Sequence, residues 1–172
     1  MMDGSPLVRR ATADDEPFLW TMLYYAAHID ELGVEMSAIR DTPALAKYVA
    51  GWGRSGDLGA IAVDAVRGER LGAAWLREFT GAEPGRGFIE PSVPELAVAV
   101  LPEQTGRGVG TVVLQALLAA AAENYERVAL KVRRSSSAVR LYERLGFQEV
   151  PGREFINRVG GVSLVMERPL RR

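Results

Sequence analysis

Pro94-Glu95-Leu96-Ala97-Val98-Ala99-Val100-Leu101-Pro102-Glu103-Gln104-Thr105-Gly106-Arg107-Gly108-Val109-Gly110-Thr111 decides how this chain is read: an apolar strand enters a three-glycine turn that opens directly into a long apolar helix. Amide N–H groups at a helix start carry partial positive charge, and glycines without Cβ let an anion approach the backbone closely. Arg107, between two of those glycines, adds a full charge at the same place. The stretch therefore specifies a place for a phosphorylated ligand before it specifies which one.

Spacing narrows the choice. A P-loop ends in Gly-Lys followed by Ser or Thr, whereas this turn ends Gly110-Thr111 without a lysine. A dinucleotide fold wants an acid closing the next strand, and here that strand closes Lys131-Val132-Arg133-Arg134. Neither pattern is met. Another kind of phosphate cradle and a plain glycine-rich loop both stay open on this stretch alone.

Bulk composition removes other classes of function. One domain over residues 1–172 is expected, long enough to bury a core without disulfides or a metal. A formal charge of −1 offers no basic excess for nucleic acid. The absence of cysteine excludes thiolate catalysis and thiolate metal sites, and no metal is expected. Met1-Met2-Asp3-Gly4-Ser5-Pro6 lacks the charged-then-apolar pattern of a secretory leader. The greasiest run, Val112 to Ala122, falls short of the roughly 20 residues that a bilayer requires. The expectation is a cytoplasmic protein with no membrane or nucleic-acid partner, with a homodimer as the ordinary prior.

Leu7 to Arg10 reads as a strand, and Thr12-Ala13-Asp14-Asp15-Glu16-Pro17 as the cap and acidic first turn of a helix to about His28. Phe18, Leu19, Met22, Leu23 and Ala26 form its inward face. A second helix starts at Thr42, with Pro43 first inside, and ends before Gly51 and Gly53; Ile29 to Arg40 has no clear period. Leu58 to Val66 and Leu71 to Phe79 make an antiparallel hairpin about Gly68. The Gly- and Pro-rich segment Thr80 to Pro94 is a loop whose length points to function. After the opening strand and a helix from about Gly108 to Tyr125, a strand at Arg127 to Arg133 completes a parallel unit. A helix over Ser135 to Leu145 stops at Gly146, and strands near Phe147 to Val150 and Val162 to Arg168 finish the sheet.

The second informative stretch is Ser135-Ser136-Ser137-Ala138-Val139-Arg140-Leu141-Tyr142-Glu143-Arg144-Leu145-Gly146-Phe147, whose Ala138, Val139, Tyr142 and Leu145 share one helical face. Tyr142 points inward, where its hydroxyl meets either a backbone partner in the core or a ligand. Together the two stretches resemble the GNAT family, the general N-acetyltransferases that move an acyl group from coenzyme A to an amine. That family's pattern is Arg/Gln-x-x-Gly-x-Gly/Ala, followed one strand later by a helix ending Leu-Tyr-x-x-x-Gly-Phe. Leu141 to Phe147 matches the latter in full. The turn departs by having Thr105 at the Arg/Gln position, with Gln104 displaced by one residue, and Ser135 or Ser136 stands where the family often has asparagine.

The resemblance implies an α/β (α+β) GNAT fold: a central mixed, mostly antiparallel sheet of about six to seven strands, with a splayed parallel pair and helices on both faces. It implies acetyl-CoA as co-substrate, with the pyrophosphate on the backbone of Gly106, Arg107, Gly108, Val109, Gly110 and Thr111. The pantetheine arm would lie along Val98, Ala99 and Val100, with Ser135 and Ser136 as further polar contacts. By the same resemblance, Tyr142 is the acid that protonates the departing thiolate. Glu95, on the strand face of Ala97 and Ala99, is the candidate base, the alternative being a solvated acid at a strand entrance. His28, the only histidine, lies away from both stretches.

Asp30, Glu31, Glu35, Glu83 and Glu90 suit a cationic amine or are simply solvated, and Trp52 and Trp75 line an acceptor pocket or sit in the core. The function so implied is N-acetylation of a primary amine of a small molecule or peptide. A coenzyme-binding sensor of the same fold without catalysis is the alternative.

Overall fold

The computed structural model describes residues 5–170; Met1 to Gly4, part of the stretch read as lacking a leader, lie outside them. The chain forms two compact units, Met1–Arg77 with Ala97–Ala120, and Glu78–Leu96 with Ala121–Arg172. Among the described residues no helix is long and apolar enough to cross a membrane.

The first unit contains β1 (Leu7–Arg10), α1 (Glu16–Ala26), α2 (Pro43–Ala46), β2 (Leu58–Val63), β3 (Arg70–Arg77), the last four residues of β4 (Glu95–Val100) and nearly all of α3 (Val109–Ala121). β1, β2 and β3 are successive antiparallel neighbours, with Ile61 opposite both Arg9 and Ala73. β4 follows β3, and the Leu101 N–H donates to the Leu71 carbonyl at 2.9 Å just past its end. The β2–β3 turn carries Gly68 at φ +71°, as the sequence predicts. β2 stops early because Asp64 accepts from the amides of Val66 and Arg67 at 2.8 and 2.7 Å, drawing the backbone into the turn.

Two buried carboxylates paired with arginines shape this unit beyond its apolar pattern. Asp15 is fully buried and accepts from Arg9 at 2.8 and 2.9 Å, from Arg70 at 2.8 Å and from the Thr12 N–H at 2.8 Å. Burial by itself would raise its carboxyl; the bonds from Arg9, Thr12 and Arg70 outweigh that and hold it well below the usual carboxylate range. Ala13–Asp15 consequently forms a 3-10 turn, and α1 begins only at Glu16. Its buried residues are Leu19, Trp20, Met22 and Leu23, while Phe18 is half-buried.

At the far end of β3, Arg77 is 1% exposed, pairs with Asp57 at 3.0 and 2.8 Å, and donates to the carbonyls of Lys47 and Ala50 at 3.0 and 2.7 Å. Those carbonyls are thereby taken from a longer helix, and α2 gives way to turns after Ala46. Trp75 donates to the Tyr48 carbonyl at 3.0 Å and is 1% exposed, and Trp52 is also buried, so both belong to the core. Ile29–Leu32 and Met36–Asp41 are 3-10 helices, whose tighter repeat explains the missing 3.6 period.

The second unit contains Glu95 and Leu96 of β4, β5 (Arg127–Arg133), α4 (Ala138–Arg144), β6 (Gln148–Glu149), β7 (Phe155–Ile156) and β8 (Val162–Pro169). β4 pairs with β5 in parallel at Glu95 opposite Ala129. β5 runs antiparallel to β8 along its length, from Arg127 opposite Pro169 to Arg133 opposite Ser163, and both β6 and β7 add to β8. The strands are thus mostly antiparallel with one parallel pair. β7 is the strand that the sequence pattern does not reveal, because two residues leave no alternation to read.

Candidate functional site

The glycine turn and its helix lie in the first unit. Pro102–Gln104 forms a 3-10 turn after β4, with the Gln104 N–H on the Leu101 carbonyl at 2.8 Å. Gly106 and Gly108 both have φ +79°, a left-handed backbone that glycine adopts without steric cost. A Cβ at either would meet open space, so these glycines serve backbone shape rather than packing. α3 starts at Val109, and the Val112 N–H reaches back to the Gly108 carbonyl at 3.1 Å. The first amides of such a helix have no acceptor within it and are available to an anion. Gly106, Arg107 and Gly108 are exposed, Gly110 and Thr111 half-buried, and Val109 is the buried anchor.

That anchor is set by a glycine the sequence reading passed over. Gly72 of β3 is buried, and a Cβ there would lie 2.9 Å from Val100 Cγ1, 3.0 Å from the Ala99 carbonyl oxygen and 3.1 Å from Val109 Cγ1. β3, β4 and α3 therefore meet at a point with no room for a methyl group. A glycine inside an apolar strand, Leu71-Gly72-Ala73, is a readable sign of such close approach. Val98, Ala99 and Val100 are half-buried.

Tyr142, Glu95, Ser135 and Ser136 lie in the second unit. α4 ends in a Schellman motif: the Phe147 N–H donates to the Tyr142 carbonyl at 2.9 Å, the Gly146 N–H to the Glu143 carbonyl at 3.0 Å, and Gly146 has φ +94°. The apolar contact that accompanies this motif is the Tyr142 ring against Phe147, edge to face with centroids 5.8 Å apart. The spacing Tyr-x-x-x-Gly-Phe is thus a device that holds this tyrosine by both its backbone and its ring. Tyr142 is 8% exposed, and burial pushes its phenol up to about 12, so it carries its proton throughout the neutral range.

Glu95 is 2% exposed, which rules out the solvated acid at a strand entrance, and its Oε1 accepts from the Gly87 N–H at 3.0 Å. Ser136 Oγ accepts from the Ala138 N–H at 3.1 Å and so helps start α4. Ser135 is exposed. α4 begins at Ala138 rather than Ser135, with Ser137 preceding it and no side-chain cap bond from that residue.

Among the acids expected at the acceptor side, Glu90 is paired with Arg127, which also binds Glu167 at 2.9 Å. Asp30, Glu31 and Glu35 of the first unit are exposed, and His28, in the left-handed region at φ +58°, lies 3.7 Å from Glu31.

A family model described as "Acetyltransferase (GNAT) family" matches residues 15–147. The chain belongs to the GNAT acetyltransferase family. A GCN5-related N-acetyltransferase from Kribbella flavida is 22% identical with a TM-score of 0.67, over 96% of this chain and 98% of that one. A ribosomal-protein-alanine N-acetyltransferase from Brucella melitensis is 22% identical with a TM-score of 0.67, over 95% and 99%. A phosphinothricin acetyltransferase from Sinorhizobium meliloti, solved in complex with AcCoA, is 19% identical with a TM-score of 0.63, over 96% and 88%. At these identities the likeness is one of fold. A comparison with curated protein sequences finds no match.

Proposed function

We propose that this chain is an acetyl-CoA-dependent N-acetyltransferase that acetylates a primary amine of a small molecule or peptide by direct attack. Residues 1–172 would act as one such domain, in the cytoplasm and as a homodimer. The observation that carries the reading is Tyr142, buried, protonated and pinned by the Schellman turn in a chain of the GNAT family.

The amides of Gly106 to Thr111 and the charge of Arg107 hold the pyrophosphate. Val98, Ala99 and Val100 offer backbone groups to the pantetheine amides as an added strand would, and Ser135 and Ser136 supply hydroxyl contacts. Glu95 takes a proton from the incoming ammonium, directly or through water. The amine lone pair then forms the C–N bond at the thioester carbon, and the C–S electron pair leaves on sulfur. Tyr142 gives its proton to that sulfur and regains one from solvent, while the new amide nitrogen releases its second proton to solvent. A positioned acid of this kind contributes about 10²–10⁴ in rate.

The test is release of free coenzyme A thiol across a panel of polyamine, aminoglycoside, amino-acid and peptide amines. Turnover with one acceptor class, lost in Tyr142→Phe while acetyl-CoA affinity stays within a few-fold, supports the enzyme. Tight acetyl-CoA binding with no turnover on any amine leaves the coenzyme-binding sensor instead.

A further inference from the structure

Gly87 lies buried in the long loop that leads into β4. Its N–H meets Glu95 Oε1 at 3.0 Å, and a Cβ built on it would stand 2.9 Å from the same oxygen, 3.0 Å from the carboxyl carbon and 3.2 Å from the backbone carbon of Leu130 on β5. Its φ is not in the left-handed region, so its backbone is one that any residue can adopt. What excludes a side chain at this position is room alone.

The Leu130 backbone is fixed in register with Met166 of β8, and the Glu95 backbone in register with Ala129 of β5, so the group that gives way to a side chain here is the Glu95 carboxylate, at the free end of its side chain. The loop around Gly87 is tied on both flanks: Arg86 stacks on Phe155 at 5.2 Å, the Phe88 carbonyl accepts from Arg153 at 3.2 Å, and Glu90 is paired with Arg127.

We propose that Gly87 is a positioning residue for Glu95: its amide fixes one carboxylate oxygen, and its missing side chain leaves the space in which that carboxylate sits. The proposal rests on Glu95 being the base of the reaction above. Proton transfer tolerates little displacement of the accepting group, and a shift of about 1 Å is enough to lose up to about 10²-fold in rate.

The experiment compares Gly87→Ala, Glu95→Gln and the double variant, using acetyl-CoA and the amine giving the largest thiol release in the panel. Gly87→Ala is expected to lower kcat about tenfold or more while leaving KM for acetyl-CoA within about twofold, and to cause no further loss in the Glu95→Gln background. Wild-type kcat in Gly87→Ala, or an equal fractional loss in both backgrounds, overturns the positioning role while leaving the base intact. Full turnover in Glu95→Gln alone removes the base, and the role of Gly87 with it. If Gly87→Ala does not fold, Gly87→Ala combined with Glu95→Ala should regain folding because the carboxylate no longer occupies the space; failure of that pair to fold overturns the proposal.

Discussion

The glycine turn of the first unit and the proposed acid and base of the second are built from opposite materials. Gly106 to Thr111 presents backbone amides on a largely exposed turn, while Tyr142 and Glu95 are side chains with less than a tenth of their surface open. A site made of amides keeps its geometry when neighbouring side chains change, which in the proposed reading is how Thr105 can stand where the family pattern has Arg or Gln. A site made of side chains depends on what surrounds it. Glycine serves both, in different senses: Gly106 and Gly108 supply a left-handed φ in open space, whereas Gly72 and Gly87 supply room.

That contrast breaks most clearly in a kinetic pair. Tyr142→Phe should lose about 10²–10⁴ in kcat with acetyl-CoA affinity kept, whereas Gly108→Val should weaken acetyl-CoA binding and spare turnover at saturation. Steady-state rates over a range of coenzyme concentrations read both, and loss of kcat in the glycine variant would erase the distinction. Gly72→Ala comes next. Overpacking against Val100, Ala99 and Val109 should cost about 1–3 kcal/mol of stability and raise KM for acetyl-CoA, as denaturant unfolding and kinetics would register.

pH separates a residue of each unit more finely. Tyr142 has a raised phenol, so its contribution to stability is complete below the unfolded value of about 10 and is lost as pH rises through about 12. The phenolate absorbance difference between wild type and Tyr142→Phe should therefore develop only near that upper value. Asp15 has a depressed carboxyl, so its contribution is complete above the unfolded value of about 3.9 and fades as pH falls below it. The urea midpoint of wild type should drop more steeply below about pH 4 than that of Asp15→Asn; parallel curves would show that Arg9 and Arg70 act on it only weakly.

What could be read in advance follows the physical range of each signal. β5 at Arg127 to Arg133 was legible because a buried strand flanked by polar ends is a local pattern, and Gly146 was legible because a helix stop needs a left-handed residue. Asp15 is the first-turn acid that the sequence expects, in a capping box with Thr12, but its pairing with Arg9 and Arg70 is tertiary and has no local sign. The Arg77–Asp57 pair joins residues 20 apart and has no local sign at all. Tyr142 and Glu95 are named from the sequence, but their burial is tertiary and is not legible there. Gly87, one of several glycines in a Gly- and Pro-rich segment, became distinct only once the Glu95 carboxylate was found against it.

Insertions and deletions should fall unevenly on the loop into β4. Gly81, Ala82 and Glu83 are exposed, and the contact there is local, from the Glu83 N–H to Thr80 Oγ1 at 3.1 Å. Extra residues at that tip would lengthen the chain and leave Glu95 where it is. One residue gained or lost between Gly87 and Glu95 would instead break the match between the amide and the carboxylate that it holds. Length changes in this chain should therefore be tolerated at the tip and not between Gly87 and Glu95, where only substitution keeps the amide and the carboxylate in register.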